Sequence, residues 1–455
     1  MTRPGAAAVV LALAAAPASA KTITVGGPYA DFPFIAPAVA AAAPGDLIRV
    51  APGVYREDLV LDRPVSIVGD GSPLLYGTGA GSVITITAPG CEVRGLRIEG
   101  SGTGQTNDMD AGVQVLSSGN RIVGNRMRRV FYGVVVASTT GNEVADNVIE
   151  GLARLPFGRR GDGVYVYRAP GTIVARNRIS GVRDGIYFQY APRGRATDNV
   201  VRDTRYALHD MFSDDARIAG NTFAGSSAGA NIMNSRRIVL ERNRFLDNRG
   251  VSGVGLTLKD CDGSLVRSNE MADNLRGLFV DGSSSNRFVD NTFRANDTAV
   301  MLFSSAEQNA FTGNQFRGNW SDLVLSGRDP GTRWSVNGRG NYWSRYRGFD
   351  FDGDGIGDAP HPLLGAFEKL EGANPAVRLF LQSPAAAGLE LAARFGGPTP
   401  GDAVDARPLV AQAVAPASGP RPMAHPGAAL LILASVGALT SVLLRETRTC
   451  SRSRV

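Results

Sequence analysis

Three neighbouring residues of one short segment are chemically suggestive. The stretch LHDMF, residues 208–212, places His209, Asp210 and Met211 side by side. A histidine beside a carboxylate is a common pair in general acid–base catalysis, whereas imidazole and thioether groups are ligands for soft Cu(I). The chain has only three histidines, so a zinc site made of imidazoles alone is not expected. The directions of these side chains decide between the two kinds of chemistry.

A second candidate site lies in GFDFDGDGIGDAPHP, residues 348–362. Aspartates occupy positions 1, 3, 5 and 9 of a calcium-loop pattern with glycine at position 6, namely Asp350, Asp352, Asp354, Asp358 and Gly355. The bidentate glutamate expected at position 12 is replaced by His361. A calcium site and a turn closed by its own aspartate side chains both fit this pattern.

The elements that position these residues follow from a repeat with one asparagine in register. The repeated asparagines are Asn125, Asn147, Asn177, Asn199, Asn221, Asn243, Asn269, Asn291 and Asn314. They are 22 to 30 residues apart, and apolar side chains recur three residues before and two residues after most of them. Apolar–polar alternation around a turn residue predicts short strands joined by sharp corners. Asparagine tolerates left-handed backbone, and its amide can bond to the asparagine of the next coil.

This repeat predicts an all-β fold, a right-handed parallel β-helix of about eleven coils of ~22 residues. The coils are expected between residues 60 and 325, with an N-terminal helical cap and short C-terminal helices. A leucine-rich repeat would need leucine consensus positions, and a propeller would need a longer period. Insertions near Ser101–Asp110 and Gly151–Gly161 both follow the strand after the asparagine turn, so they should protrude from one edge.

The register predicts the direction of each candidate side chain. Residues thirteen and eleven positions before the asparagine are mostly apolar and should point inwards, so the alternate residues point outwards. His209 and Met211 therefore face outwards, and Met233 lies above Met211 on the next coil. The outward residues of the preceding coils are Tyr165, Tyr167 and Tyr187. Asp210 points into the wall, where an unpaired carboxylate is costly.

Several interpretations of the outward residues remain open. His209, Met211 and Met233 are a candidate copper site, because thioether and imidazole suit Cu(I). The tyrosines are a candidate partner-contact strip, and the absence of any role is a further alternative. Acid–base catalysis is the weakest interpretation, because Asp210 points away from His209.

The two ends of the chain predict export and a membrane tether. The expected organisation is a signal peptide at 1–20, an N-terminal cap at 21–59, the β-helix at 60–339, an Asp/Gly loop and helical segment at 340–396, a Pro/Ala-rich linker at 397–426, a transmembrane helix at 427–444 and a basic cytoplasmic tail at 445–455. The net charge of +6 on 455 residues is modest and gives no argument for nucleic acid. Cys91 and Cys261 lie too many coils apart for a disulfide.

With these features assembled, the chain resembles the NosD family. The resemblance covers roughly residues 21–396, and its more specific parts are GNYWSRYRGFDFDGDGIGDAPHPL and LFLQSPAAAGLELAARF. It implies a periplasmic protein of nitrous oxide reductase maturation, working with an ABC-type ATPase and an inner-membrane permease in assembly of the copper–sulfur centre. A copper chaperone and the reductase itself are further expected partners. No catalytic motif carries over, and the segment at 427–444 departs from the simplest family pattern.

Three functions therefore compete. The first is a non-enzymatic maturation factor that handles copper or a sulfur species, with copper bound transiently and calcium as a second candidate ion. The second is a polysaccharide-acting enzyme, a uronate lyase or epimerase, since such enzymes share the fold. The third is an adhesin-like scaffold. The fold alone does not choose among them.

Overall fold

The computed structural model describes residues 20–103, 109–365, 369–370, 375–380, 383–385, 388 and 403–410. Within these residues the chain winds into a parallel β-solenoid with three sheets, one strand of each sheet per coil. The prediction of a parallel β-helix is confirmed. Sheets 1 and 2 have 13 strands each and sheet 3 has 12, so the solenoid is longer than the predicted eleven coils.

Short strands form the three sheets, because each coil presents only a few alternating apolar residues between turns. Sheet 1 consists of Thr22–Val25, Leu47–Val50, Ser66–Gly69, Glu92–Arg94, Arg121–Val123, Glu143–Ala145, Ile173–Ala175, Arg195–Thr197, Arg217–Ala219, Val239–Glu241, Leu265–Arg267, Arg287–Val289 and Ala310–Thr312. Sheet 2 consists of Val54–Arg56, Leu74–Tyr76, Arg97–Glu99, Arg126–Arg128, Val148–Glu150, Arg178–Ser180, Val200–Arg202, Thr222–Ala224, Arg244–Leu246, Glu270–Ala272, Thr292–Arg294, Gln315–Arg317 and Tyr342–Trp343.

Sheet 3 has the longest strands and carries His209 and the two methionines. It consists of Leu59–Leu61, Ile84–Ile86, Ala111–Val115, Tyr132–Ala137, Val164–Tyr167, Asp184–Gln189, Tyr206–Met211, Ala228–Met233, Val254–Lys259, Arg276–Asp281, Thr298–Phe303 and Ser321–Ser326. The other elements are the helix Ile35–Ala41, the 3-10 turns Phe157–Arg159 and Pro375–Phe380, and the antiparallel pair His361–Pro362 with Val404–Asp405.

The asparagine column between sheets 1 and 2 forms a buried ladder. The Nδ2 of each asparagine donates to the Oδ1 of the next, for example from Asn199 to Asn221 at 2.9 Å, and the ladder continues past Asn314 to Asn341. The left-handed backbone belongs to the residue before each asparagine, such as Asp198 with φ 55°. This differs from the expectation, because the asparagine side chain must point inwards to bond along the ladder.

The core is filled by apolar columns that run along the solenoid axis. Phe293 stacks on Phe316, and Phe316 stacks on Trp343, with ring centroids 4.9 and 4.0 Å apart. Full burial of such a side chain contributes about 1.5–3 kcal/mol. Because each coil repeats the same inward positions, the apolar residues of successive coils form one continuous core.

Both ends of the solenoid differ in detail from the expected domain boundaries. The stretch expected to be only a cap, 21–59, already supplies strands to all three sheets, and its helix closes the open end. Within the expected linker, residues 403–410 contact the last coil: Asp405 accepts hydrogen bonds from Asn341 N at 2.7 Å and Trp343 Nε1 at 2.9 Å. A carboxylate thus ends the asparagine ladder.

Residues 1–19 of the predicted signal peptide and the predicted membrane segment at 427–444 lie outside the described residues. Among the helices that the structure describes, none has the length and apolar character needed to cross a bilayer.

Candidate functional site

The strand Tyr206–Met211 lies between two parallel neighbours in sheet 3. Its register pairs His209 with Tyr187 on one side, and Met211 with Met233 on the other. His209 and Met211 leave the core side of the sheet, whereas Leu208 is fully buried within the core. The two methionines therefore occupy equivalent outward positions on adjacent coils, as the repeat predicts.

His209 faces outwards but is covered by aromatic rings. Its imidazole stacks on the ring of Tyr187 at 4.2 Å with an interplanar angle of 10°, and the edge of Tyr206 meets it at 5.2 Å. Only 7% of the residue is exposed. The imidazole is therefore held in one orientation by packing.

The carboxylate partner of His209 is Asp184, one coil earlier. The Oδ2 of Asp184 lies 3.0 Å from Nδ1 of His209, and the same carboxylate accepts two bonds from Arg205 at 2.9 and 2.6 Å. Burial alone would raise the pKa of Asp184, but the hydrogen bonds from His209 and Arg205 lower it. Because an ionised carboxylate only accepts, Nδ1 carries a proton in this contact, and Nε2 is the ring atom that has a lone pair in the neutral imidazole. Within the described residues, Nε2 has no hydrogen-bond partner.

A second buried ion pair repeats this arrangement one coil earlier. The Asp162 carboxylate accepts two bonds from Arg183 at 2.9 and 2.8 Å. Burial, followed by the nearby charge of Asp184, raises the pKa of Asp162. These four charged residues were not among the expected site residues. The signal for them was an Asp-Gly step at 162–163 and again at 184–185, with an arginine one coil later.

Each thioether sulfur receives one weak hydrogen bond. The Tyr187 hydroxyl donates to Sδ of Met211, and the Asn231 amide donates to Sδ of Met233, both at 3.4 Å. Both methionines are half-buried. The two sulfurs thus lie on the outer face of sheet 3 that also carries His209, with a further lone pair left on each.

The expected tyrosine contact strip is mostly covered. The rings of Tyr165 and Tyr187 are 5.1 Å apart and tilted by 31°, and each residue is 9% exposed, whereas Tyr167 is half-buried. Met109 and Leu152, which border or belong to the two insertions, pack against this cluster. The insertions follow strands of one sheet, so they lie at one edge as predicted. Little of Tyr165 or Tyr187 is open to a partner.

Asp210 lies inside the wall, in the slot that Phe188 and Ile232 occupy on adjacent coils. Its Oδ1 accepts a bond from the Ser235 hydroxyl at 2.8 Å, and its Oδ2 has no partner. Burial raises its pKa to about 8. Burial thus favours the neutral acid, and because Asp210 points into the wall it does not contact His209.

The Asp/Gly loop brings three of its four aspartates together. Oxygen atoms of Asp350, Asp352 and Asp354 lie within 4.8 Å of one another. Asp358 instead accepts a bond from the backbone N of Phe351 at 2.6 Å. The side chain of His361 turns towards Trp343, with ring centroids 5.5 Å apart, and burial lowers its pKa to about 4. Calcium binding by the aspartates stays a prediction.

Known proteins are similar to most of this chain. The family model for the periplasmic copper-binding protein NosD matches residues 151–348, and one for a right-handed β-helix region matches 81–209. Among solved structures, the catalytic domain of a GH87 α-1,3-glucanase aligns over 65% of each chain with 13% identity and a TM-score of 0.48, too weak a likeness to argue for an activity.

Two curated relatives are both named "Probable ABC transporter binding protein NosD". The relative from Pseudomonas aeruginosa is 32% identical, over 74% of this chain and 81% of its own. The relative from Stutzerimonas stutzeri is 29% identical, over 74% of this chain and 80% of its own. The identity and the coverage of the first relative establish that this chain belongs to the NosD family.

Proposed function

We propose that the protein is a periplasmic accessory factor that works with an ABC-type ATPase and permease in assembling the copper–sulfur centre of nitrous oxide reductase. Membership of the NosD family and the relatives' description as ABC transporter binding proteins support this function. The predicted signal peptide and the anchor at 427–444 would tether the protein to the periplasmic face of the inner membrane.

The observation that carries the proposal is the arrangement of His209, Met211 and Met233. Asp184 accepts a hydrogen bond from Nδ1–H of His209, so Nε2 is the ring atom that can act as a ligand. Met211 lies two residues after His209 on the same strand, and Met233 pairs with Met211 on the next coil. An imidazole with two thioethers forms a soft, uncharged donor set, which suits Cu(I) better than harder ions. Copper would here be a transient cargo.

The test of the cargo site compares two methionine variants. Purified Met211→Ala/Met233→Ala protein should lose tight binding of one Cu(I) equivalent, measured by competition with a colorimetric chelator. Met301→Ala is the matched control, because Met301 is also a half-buried outward thioether of sheet 3, several coils away. Unchanged Cu(I) affinity in the double variant would remove the copper proposal.

The wider function has its own test. Deletion of the gene should leave nitrous oxide reductase without its copper–sulfur centre, as seen in its visible absorption spectrum, and the wild-type gene should restore it. A fully assembled reductase in the deletion strain contradicts the maturation function. The Met211→Ala/Met233→Ala gene should fail to restore the centre when copper is scarce.

One observation favours a second candidate function, a polysaccharide-acting enzyme. Asp184 and His209 form a buried carboxylate–imidazole pair with Tyr187 and Tyr206 beside it, and such pairs serve general acid–base catalysis. The imidazole is almost covered by these rings, which disfavours access for a sugar chain. Incubation of the purified protein with uronans, followed by detection of unsaturated or epimerised products, tests this alternative directly.

A further inference from the structure

Two aromatic residues occupy backbone positions that disfavour them. The turn after seven strands of sheet 3 begins with a residue in left-handed backbone. At this position stand Ser138, Arg168, Tyr190, Phe212, Asn234, Asp260 and Gly282, with φ from 47° to 56°. Asparagine, aspartate and glycine tolerate this conformation, whereas bulky residues there are outliers that cost about 1–3 kcal/mol.

Burial does not explain the choice of Tyr190 and Phe212. They are 43% and 41% exposed, and their rings stack on each other at 5.0 Å with an interplanar angle of 6°. The edge of Tyr190 meets Tyr167 at 6.3 Å. We name Tyr167, Tyr190 and Phe212 the aromatic ridge. Strained and exposed aromatic residues of this kind point to contact with a partner.

An acidic cleft of about 490 Å³ begins at Phe212. It is lined by Phe212, Asp214, Asn234, Arg236, Asp260, Asp262 and Gly282. Three carboxylates face one guanidinium, so the cleft has a net negative charge. Because Phe212 and Asn234 directly follow Met211 and Met233 in the chain, the cleft adjoins the proposed copper site.

We propose that the aromatic ridge and this cleft dock a basic, apolar-tipped segment of a soluble periplasmic protein that exchanges cargo with Met211 and Met233. Basic side chains complement the carboxylates, and an apolar side chain packs on Phe212. Short loops of inner-membrane proteins on the periplasmic side are poor in lysine and arginine, so the permease is a weaker match. The nature of the cargo rests on the proposed function, whereas the docking does not.

The test uses the full chain in detergent micelles and two short fluorescent peptides. One peptide has lysines around a central leucine and tryptophan, and the other has glutamates in place of the lysines. The basic peptide should bind in an anisotropy titration, and its affinity should fall as salt increases. Tyr190→Asn/Phe212→Asn should weaken this binding about tenfold or more, as expected for loss of an aromatic anchor.

The variants separate docking from folding and from copper binding. Asparagine already occupies the equivalent turn at Asn234, so the double variant should unfold at the same or a higher temperature than the wild type. Asp260→Asn should weaken the basic peptide and reduce its salt dependence. Phe351→Asn is the matched control, because Phe351 is exposed but lies outside the ridge. The Tyr190→Asn/Phe212→Asn variant should keep its Cu(I) affinity.

Three outcomes would overturn the inference. They are equal binding of the acidic and basic peptides, unchanged peptide affinity in Tyr190→Asn/Phe212→Asn, and a wild-type dimer that this double variant dissociates, which would make the ridge a contact between two copies. Loss of Cu(I) binding in Met211→Ala/Met233→Ala concerns the copper site alone, so the two proposals fail independently.

Discussion

The asparagine ladder and the outer face of sheet 3 lie on the same coils but differ in how their polar groups are used. In the ladder one residue type recurs on every coil, and each buried amide bonds to the next, as from Asn221 to Asn243 at 2.9 Å. On the outer face the residue changes from coil to coil, as in the sequence Tyr187, His209, Asn231. A ladder of stacked side chains needs the same residue on successive coils, so functional residues are expected at positions that break the repeat.

The two regions also differ in the cost of their buried groups. The ladder leaves its amides satisfied, whereas the strand Tyr206–Met211 contains an orphaned carboxyl oxygen of Asp210 and is followed by the strained Phe212. The unpaired and strained groups of this coil therefore lie on the side of sheet 3. The variants below test this contrast, beginning with the largest expected effect.

Breaking the ladder should destabilise the protein most. Asn221→Ala removes the acceptor for the backbone N and the Nδ2 of Asn199, and it removes the donor to the Ala196 carbonyl. Each buried group left without a partner costs about 1–3 kcal/mol, so a total loss of about 3–5 kcal/mol is expected. Chemical denaturation followed by circular dichroism measures it.

The matched control for the ladder is Asn231→Ala on the outer face. Asn231 is half-buried and donates only to the sulfur of Met233, so its loss should cost about 0.5 kcal/mol or less. Comparable losses for Asn221→Ala and Asn231→Ala would show that the ladder is not the main source of stability.

The next largest effect concerns the carboxylate that holds His209. Asp184→Asn should weaken Cu(I) binding about 10–100-fold, because an outer partner that orients a ligand imidazole typically contributes this much. It should also destabilise the fold, because Arg205 loses its bidentate acceptor.

Asp162→Asn is the control for this prediction. It breaks an equivalent aspartate–arginine pair with Arg183 but leaves His209 in contact with Asp184. It should lower stability to a similar degree while keeping Cu(I) affinity. If both variants lost Cu(I) affinity equally, the two ion pairs would affect copper binding only through the stability of sheet 3.

An effect of opposite sign, which depends on pH, is expected at Asp210. The folded-state pKa of about 8 lies above the ordinary value, so the folded protein holds a proton that the unfolded chain releases. The stabilisation that this group contributes is complete below about pH 4 and is lost as the pH rises through about 8. Asp210→Asn should therefore raise the melting temperature at pH 8 and have little effect near pH 4.

The pH profile of melting is the measurement for Asp210. Wild type should lose stability between pH 4 and 8 relative to Asp210→Asn, at about 1.4 kcal/mol per pH unit at most. Parallel profiles for the two proteins would mean that Asp210 is ionised in the fold. Asp203→Asn is a suitable control, because Asp203 lies just before the strand that carries Asp210 and is exposed.

Much of the fold was predictable, because the sequence repeat determines where the strands and corners lie. Nine registered asparagines with apolar flanks indicate the sheets, the corners and the inward positions, including that of Asp210. The number of coils was underestimated, because the first coils lack the asparagine. The sequence placed the left-handed backbone at the asparagine, one residue later than the structure does. The pattern shows which residue recurs, but it does not show which backbone angles that residue adopts.

The site was predictable only in part. The outward directions of His209, Met211 and Met233 follow from alternation within a strand. The pairing of His209 with Asp184 does not follow from alternation. It joins side chains from two coils, and alternation does not show in which direction a long side chain leans across a sheet. For the same reason the burial of Tyr165 and Tyr187 was missed: their rings pack against aromatic rings of adjacent coils.

The smallest effect is expected at the Asp/Gly loop. Its aspartates either bind calcium or only close the turn. Calcium at tenfold its dissociation constant would contribute about 1.4 kcal/mol, and the melting temperature should rise by about 2–4 °C. Asp352→Asn/Asp354→Asn should abolish this shift. An asparagine oxygen still accepts the backbone bonds that Asp352 and Asp354 accept from Asp354 N and Ile356 N. The calcium-free melting temperature should therefore stay unchanged, and a wild type indifferent to calcium would show that the aspartates only close the turn.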